Sequence, residues 1–290
     1  MSRLLVVVSL FWSFAVVTAD PLPWTVYGKD DRLEYYEVMY TSREPTVRAS
    51  AALMAPRQLV PIASGFRIHA TSMNEAHNLC PDQKFGEQPV ASFCSGTLVG
   101  EDLILTAGHC LTSPTCRGYR VVFDYRLDRK NQSTFTVQES DVYRCQQVVA
   151  YEMKKDLDYA LIRLDRKVRG RTPVAMTRFS EEWAGTEIFS VGYPLGIPLK
   201  VAPNGKIHRV DGSYYVTDLD TSFGNSGSGV FNWNNQLIGV LIQGDQDFVY
   251  DRSARCRRVK TCKFSECLGE DVLKLDMIRK DLQNKNIVPL

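Results

Sequence analysis

The chain has 290 residues, 44% of them apolar, with eight cysteines and a net charge of +2. This is enough apolar material for one large domain or two small ones. The near-neutral charge gives no electrostatic case for nucleic acid as a partner.

The N-terminus reads as a secretory signal. Arg3 supplies the positive start, Leu4 to Val17 are almost wholly apolar, and Val17-Thr18-Ala19 ends on a small residue before Asp20-Pro21. Residues 1–19 are therefore expected to be a signal peptide. The run is shorter than the ~20 residues a bilayer needs. No later segment is long and apolar enough to cross, so no membrane span is expected after its removal. Cys80, Cys94, Cys110, Cys116, Cys145, Cys256, Cys262 and Cys267 fit that oxidising route as four disulfides. Cys256, Cys262 and Cys267 lack a paired CxxC, so zinc is not expected, nor is any other metal or cofactor. Asn131-Gln132-Ser133 is a glycosylation sequon in what should be an extracellular protein.

Residues 20–58 are charged and Tyr-rich, with Pro45 and Pro56 and no sustained strand alternation. They read as a propeptide or N-terminal extension, with a short helix over Val47 to Leu53 and one candidate cleavage site at Arg57-Gln58. Residues 59–290 read as the folded domain. Its strands are expected at Ser95–Val99, Leu103–Thr106, Tyr119–Tyr125, Arg144–Tyr151, Tyr159–Leu164, Glu187–Gly192, Ile207–Val210, Tyr214–Leu219, Gly229–Phe231 and Leu237–Ile242. Asp211-Gly212 between two of them predicts a hairpin with positive φ at both residues. Many short strands without βαβ alternation point to an all-β barrel or sandwich. Glu270 to Lys285 spaces Val272, Leu275, Met277, Ile278 and Leu282 at helical intervals, predicting a C-terminal helix docked by its apolar side.

Three stretches carry chemistry. Leu103-Ile104-Leu105-Thr106-Ala107-Gly108-His109-Cys110 runs a buried strand into a small-residue turn that presents His109. Cys94 lies sixteen residues before Cys110, and a bridge between them would staple that turn to the preceding strand. Asp156-Leu157-Asp158-Tyr159-Ala160-Leu161-Ile162 places an acid, Asp158, at the mouth of an apolar strand. Gly224-Asn225-Ser226-Gly227-Ser228-Gly229 is a tight, glycine-rich turn that can present Ser226 as a nucleophile among backbone N–H groups.

Taken in that order, TAGHC, DYALIRL and GNSGSG resemble the chymotrypsin-like (trypsin-like) serine proteases over roughly residues 60 to 245. Gly192-Tyr193-Pro194 and the Asn before Ser226 are more similar to the glutamyl endopeptidase branch than to trypsin. The resemblance implies two six-stranded antiparallel Greek-key β-barrels. It also implies a triad of His109, Asp158 and Ser226, with the N–H groups of Gly224 and Ser226 as the oxyanion hole. The order His, Asp, Ser and the absence of G-x-S-x-G argue against an α/β-hydrolase.

Two departures stand out. Asn225 occupies the position where trypsin-type zymogens carry the aspartate that pairs with a freed N-terminus, and no Ile-Val-Gly-Gly is present. Asp220, with Thr221 beside it, lies six residues before Ser226, where an acid forms a primary pocket for Arg or Lys; the alternative is that it points elsewhere. Glutamyl specificity is disfavoured, because Leu237–Gly244 lacks the histidine those enzymes carry about fifteen residues after the serine. The expected function is a secreted serine endopeptidase acting on protein or peptide substrates as a monomer, open to protein inhibitors. The competing readings are a catalytically inactive protease homologue that binds a partner, and an esterase of the same fold.

Overall fold

The computed structural model describes residues 26–111, 116–154, 156–178, 182–244 and 246–287. The expected signal peptide, 1–19, lies outside the described residues, as do 20–25.

Strands β1 (Ser50–Met54), β2 (Ser92–Gly100), β3 (Leu103–Thr106), β4 (Arg120–Val122), β5 (Val142–Lys154) and β6 (Leu157–Leu164) close into a barrel in the order β5-β6-β3-β2-β1-β4. Strands β7 (Glu187–Gly192), β8 (Lys200–Asp211), β9 (Tyr214–Thr217), β10 (Gly229–Asn232), β11 (Leu237–Gln243) and β12 (Glu270–Lys274) form a second barrel in the order β7-β10-β11-β12-β9-β8, closed by the β7–β8 pairing. Within each barrel the first strand sits between the second and fourth, and the third pairs with the sixth. The two halves therefore repeat one antiparallel Greek-key plan. Barrels this narrow are filled by side chains. Leu53, Leu98, Ile104, Val121 and Ile162 fill the first, and Ile188, Val230, Ile238, Leu241 and Val272 the second.

Several expectations are corrected. The Val47–Leu53 stretch is a short helix at Glu44–Arg48 followed by barrel strand β1. All five residues of β1 are buried, because β2 and β4 flank it within the barrel and β7 of the second barrel packs on it. A strand covered on both faces has no alternation to read. The boundary expected between 58 and 59 therefore falls inside the first barrel. Upstream, Val26–Tyr27 pairs with Thr261–Cys262, and Leu33–Glu34 adds to β8 opposite Val201 and Lys200. Residues 26–34 thus form a strap bonded into the second barrel.

At the other end, Glu270–Lys274 is β12 rather than helix, and the helix runs Leu275–Asn284, burying Leu275, Ile278 and Leu282. Tyr159 of β6 donates to Asp281 at 2.6 Å, tying that helix to the first barrel. In the β8–β9 hairpin Asp211 pairs with Tyr214, so the turn centres on Gly212 and Ser213, and of these only Gly212 has positive φ, 52°. The disulfides are Cys80–Cys256, Cys94–Cys110, Cys116–Cys145 and Cys262–Cys267.

Candidate active site

His109 sits on the single turn Gly108–Cys110 that follows β3, and Asp158 at the start of β6. β3 and β6 are paired, with Thr106 opposite Ala160, so the strand register sets the two side by side. The Asp158 carboxylate makes two contacts with His109. Oδ2 lies 2.7 Å from ring Nδ1, and Oδ1 accepts the backbone N–H at 2.9 Å. The imidazole is thereby oriented with Nε2 as its remaining nitrogen. Gly108 makes this approach possible. A Cβ there would lie 2.1 Å from the Glu152 carbonyl oxygen and 2.8 Å from Asp158 Oδ1. The Cys94–Cys110 disulfide ties the turn to β2.

Ser226 lies in the turn between β9 and β10 and is 3% exposed. Positive φ at Gly224 (92°) and Gly227 (87°) bends the chain around it. The turn is docked on the first barrel. The Ser226 carbonyl accepts from Ser95 N at 2.9 Å, and a Cβ on Gly227 would lie 2.2 Å from both Ser95 O and Thr106 Oγ1. Ser95 Oγ donates to the Gly224 carbonyl at 2.8 Å and accepts from Tyr193 N at 3.0 Å. Cys110 Sγ lies 3.6 Å from the Ser226 carbonyl oxygen, and because Thr106 and Cys110 bracket the histidine turn, these contacts bring the Ser226 turn beside His109. The turn's other amides are engaged: Asn225 N on Ser222 O, Gly227 N on Leu241 O, Ser228 N on Asn225 O and Phe223 N on the Asp247 carboxylate. Among the described residues the Gly224 and Ser226 amides donate to no carbonyl or side chain. They are the pair expected as an oxyanion hole.

The trypsin-like peptidase domain family matches residues 94–240, which include most strands of both barrels and all three of these side chains. The chain belongs to the trypsin-like peptidase family. Glutamyl endopeptidases of two Staphylococcus aureus strains, MW2 and MSSA476, are each 27% identical to it over 164 residues, covering 53% of this chain and 48% and 47% of theirs. The chain spans about half the length of the curated relatives it matches. A solved Glu endopeptidase structure in complex with MPD aligns with a TM-score of 0.49 at 20% identity, over 83% of this chain and 96% of that one.

The expected pocket residues, Asp220 and Thr221, are both buried. Asp220 is buried, and its Oδ1 accepts the Tyr27 N–H of the strap at 2.7 Å. Burial pushes its carboxyl up to about 7, opposed by that N–H and by the Arg32 guanidinium. Thr221 donates its hydroxyl to the buried Glu270. The second Asp220 oxygen, Oδ2, is buried with no hydrogen-bond partner among the described residues. Asn225 is buried, and its Oδ1 has no hydrogen-bond partner among the described residues. Asn131 is exposed, with φ of 60°.

Sequence reasoning missed four contributors. Gly108 and Ser95 stood inside motifs that were read for other residues. Asp247 and the strap's Arg32 stood in stretches without periodicity, and no local signal marks them. The excess of Arg and Lys over residues 252–263 is partly neutralised in the fold, where Arg258 pairs with Asp82 at 2.7 Å and Asp251 at 3.0 Å.

Proposed function

We propose that this chain is a secreted serine endopeptidase. Ser226 Oγ attacks the scissile carbonyl carbon while His109 Nε2 takes its proton. The carbonyl oxygen, now an anion, is held by the Gly224 and Ser226 N–H groups. His109 then returns the proton to the leaving amine, giving an acyl-enzyme, and water repeats the sequence to free the acid and restore Ser226. Asp158 holds the ring in the required tautomer and stabilises its charged form. The observation that carries this reading is the doubly bonded Asp158–His109 pair, set beside a serine turn with two uncommitted amides.

The P1 preference proposed is not basic. An anionic pocket acid suits Arg or Lys, whereas burial pushes the Asp220 carboxyl up to about 7 and Tyr27 N–H already occupies its Oδ1. An acidic P1 residue is favoured instead, in keeping with the relatives' name, glutamyl endopeptidase. Secretion is supported by the four disulfides, and Asn131 is exposed as a glycan acceptor must be.

A fluorophosphonate probe tests the chemistry. Wild type should label and Ser226→Ala should not. A folded wild type that never labels, alone or after proteolytic processing, would make the chain a non-catalytic homologue. A peptide panel with Glu, Arg or Leu at P1 tests the second reading, which fails if Arg substrates turn over fastest.

A further inference from the structure

We propose that Arg32 is a positioning residue: its buried guanidinium holds the 220–226 turn in the shape that aims the Gly224 and Ser226 amides, so the strap belongs to the active enzyme. This rests on the serine-protease reading above.

An oxyanion hole works only if its donors are fixed before the charge forms. The Ser226 end of this turn is held on the first barrel by Ser95, which bonds the Gly224 and Ser226 carbonyls, and the 220–222 end takes two further bonds from the strap. Tyr27 N–H reaches Asp220 Oδ1 at 2.7 Å, and Arg32 Nη1 lies 3.5 Å from Ser222 Oγ. The guanidinium is 3% exposed and is gripped by Asp30 through two bonds, Nε to Oδ1 at 2.9 Å and Nη2 to Oδ2 at 2.6 Å. Its carbon lies 5.4 Å from the centre of the Phe85 ring. The charge of Arg32 also faces Asp220 and Asp247. Asp247 in turn receives Phe223 N–H at 3.3 Å and the Ser222 hydroxyl.

The network therefore runs Asp30, Arg32, Ser222 and Asp247, then Phe223, whose next neighbour is Gly224. Without the guanidinium, Asp220 and Asp247 lose the cation that faces both. Asp247 then protonates or draws in water, its grip on Phe223 N–H weakens, and the Gly224 amide is no longer aimed. A trypsin-type zymogen brings a cation to this region by cleaving its chain, and pairs it with an acid at the position of Asn225. Here Asn225 has no charge, and a guanidinium already in the chain is buried three residues away, at Ser222. Cleavage that releases the strap would switch the enzyme off.

The test uses the full chain. Labelled wild-type enzyme is sized by intact mass, and the rates of fluorophosphonate labelling and peptide turnover are compared for wild type, Arg32→Met, Arg32→Lys and Arg32→Gly. The labelled species should retain Arg32. Arg32→Met should stay folded by circular dichroism but label about 10- to 100-fold more slowly, within the loss expected for a misaimed oxyanion donor, with kcat falling more than KM rises. Arg32→Lys should recover part of the rate, and millimolar ethylguanidinium should restore Arg32→Gly several-fold. A strap that only stabilises the fold would move the melting temperature and leave the rate and the rescue untouched. Folded Arg32→Met labelling at the wild-type rate overturns the proposal. So does a labelled wild-type species that begins beyond residue 32. If the variants do not fold, the mass of the labelled wild type decides alone. Wild type that labels in no form refutes the proposed function itself, and the inference with it.

Discussion

Gly108→Ala is the sharpest test of how the site is built. The new methyl would sit 2.1 Å from the Glu152 carbonyl oxygen, 2.8 Å from Asp158 Oδ1 and 3.1 Å from Tyr159 N. Two of these are backbone atoms of paired strands β5 and β6, which cannot rotate away as a side chain could. Nor can the turn swing freely, because the Cys94–Cys110 disulfide holds it. Relief requires a shift of about 1 Å between the histidine turn and the mouth of β6, and overpacking of this kind costs about 1–3 kcal/mol of stability. The same shift lengthens the 2.7 Å and 2.9 Å contacts from Asp158 to His109. A misplacement of about 1 Å at a reacting group costs on the order of 10²-fold in rate. Gly108→Ala should therefore remain folded with a lowered melting temperature. It should label with fluorophosphonate about 10²-fold more slowly than wild type, with KM little changed. A folded Gly108→Ala enzyme with wild-type kcat would show that the His109–Asp158 geometry is not what limits the chemistry.

Three further outcomes follow from the same structure. Asp220 and the half-buried Asp247 are both pushed up from 3.8 to about 7, so the folded chain binds protons that the unfolded chain releases between about pH 4 and 7. Stability should accordingly fall as pH rises through that window, by a few kcal/mol for Asp220 and less for Asp247; urea midpoints at pH 5 and 7.5 measure it, and a higher midpoint at pH 7.5 that Asp220→Asn does not alter would contradict the assignment. Replacing Cys94 and Cys110 by serine opens a sixteen-residue loop, should cost about 3 kcal/mol by thermal unfolding, and should slow labelling through a looser His109 turn; unchanged labelling would separate the staple from catalysis. Lys200→Met leaves the buried Glu34 carboxylate without the ammonium 3.0 Å away and should cost about 3–5 kcal/mol, most of it recovered by adding Glu34→Leu; equal melting temperatures for single and double variants would refute the pairing.

The sequence alone determined what depends on neighbours a few residues apart. Glycines around Ser226, the small-residue turn before His109 and the acid opening an apolar strand are local patterns, and they were legible as chemistry because each uses its own few residues. So were short apolar runs bounded by turn residues, such as Leu103–Thr106 and Glu187–Gly192, whose bounds the structure repeats. Tertiary structure decided whatever depends on partners far along the chain. β1 is buried on both faces by packing between the barrels, which removes the alternation that would have announced it. Val272 and Leu275 fit one helical stripe, yet pairing with β9 and β11 draws the first into a strand and leaves the second in the helix. Cys80 meets Cys256 across 176 residues, and no spacing could select it over Cys262 or Cys267. Asp220 has the position of a pocket acid in one dimension. In three dimensions it is a buried carboxyl facing Tyr27 and Arg32, because a strap nearly two hundred residues upstream folds over it. Solvation and partner charge set what an acid can do, and both come from residues that sequence proximity does not reveal.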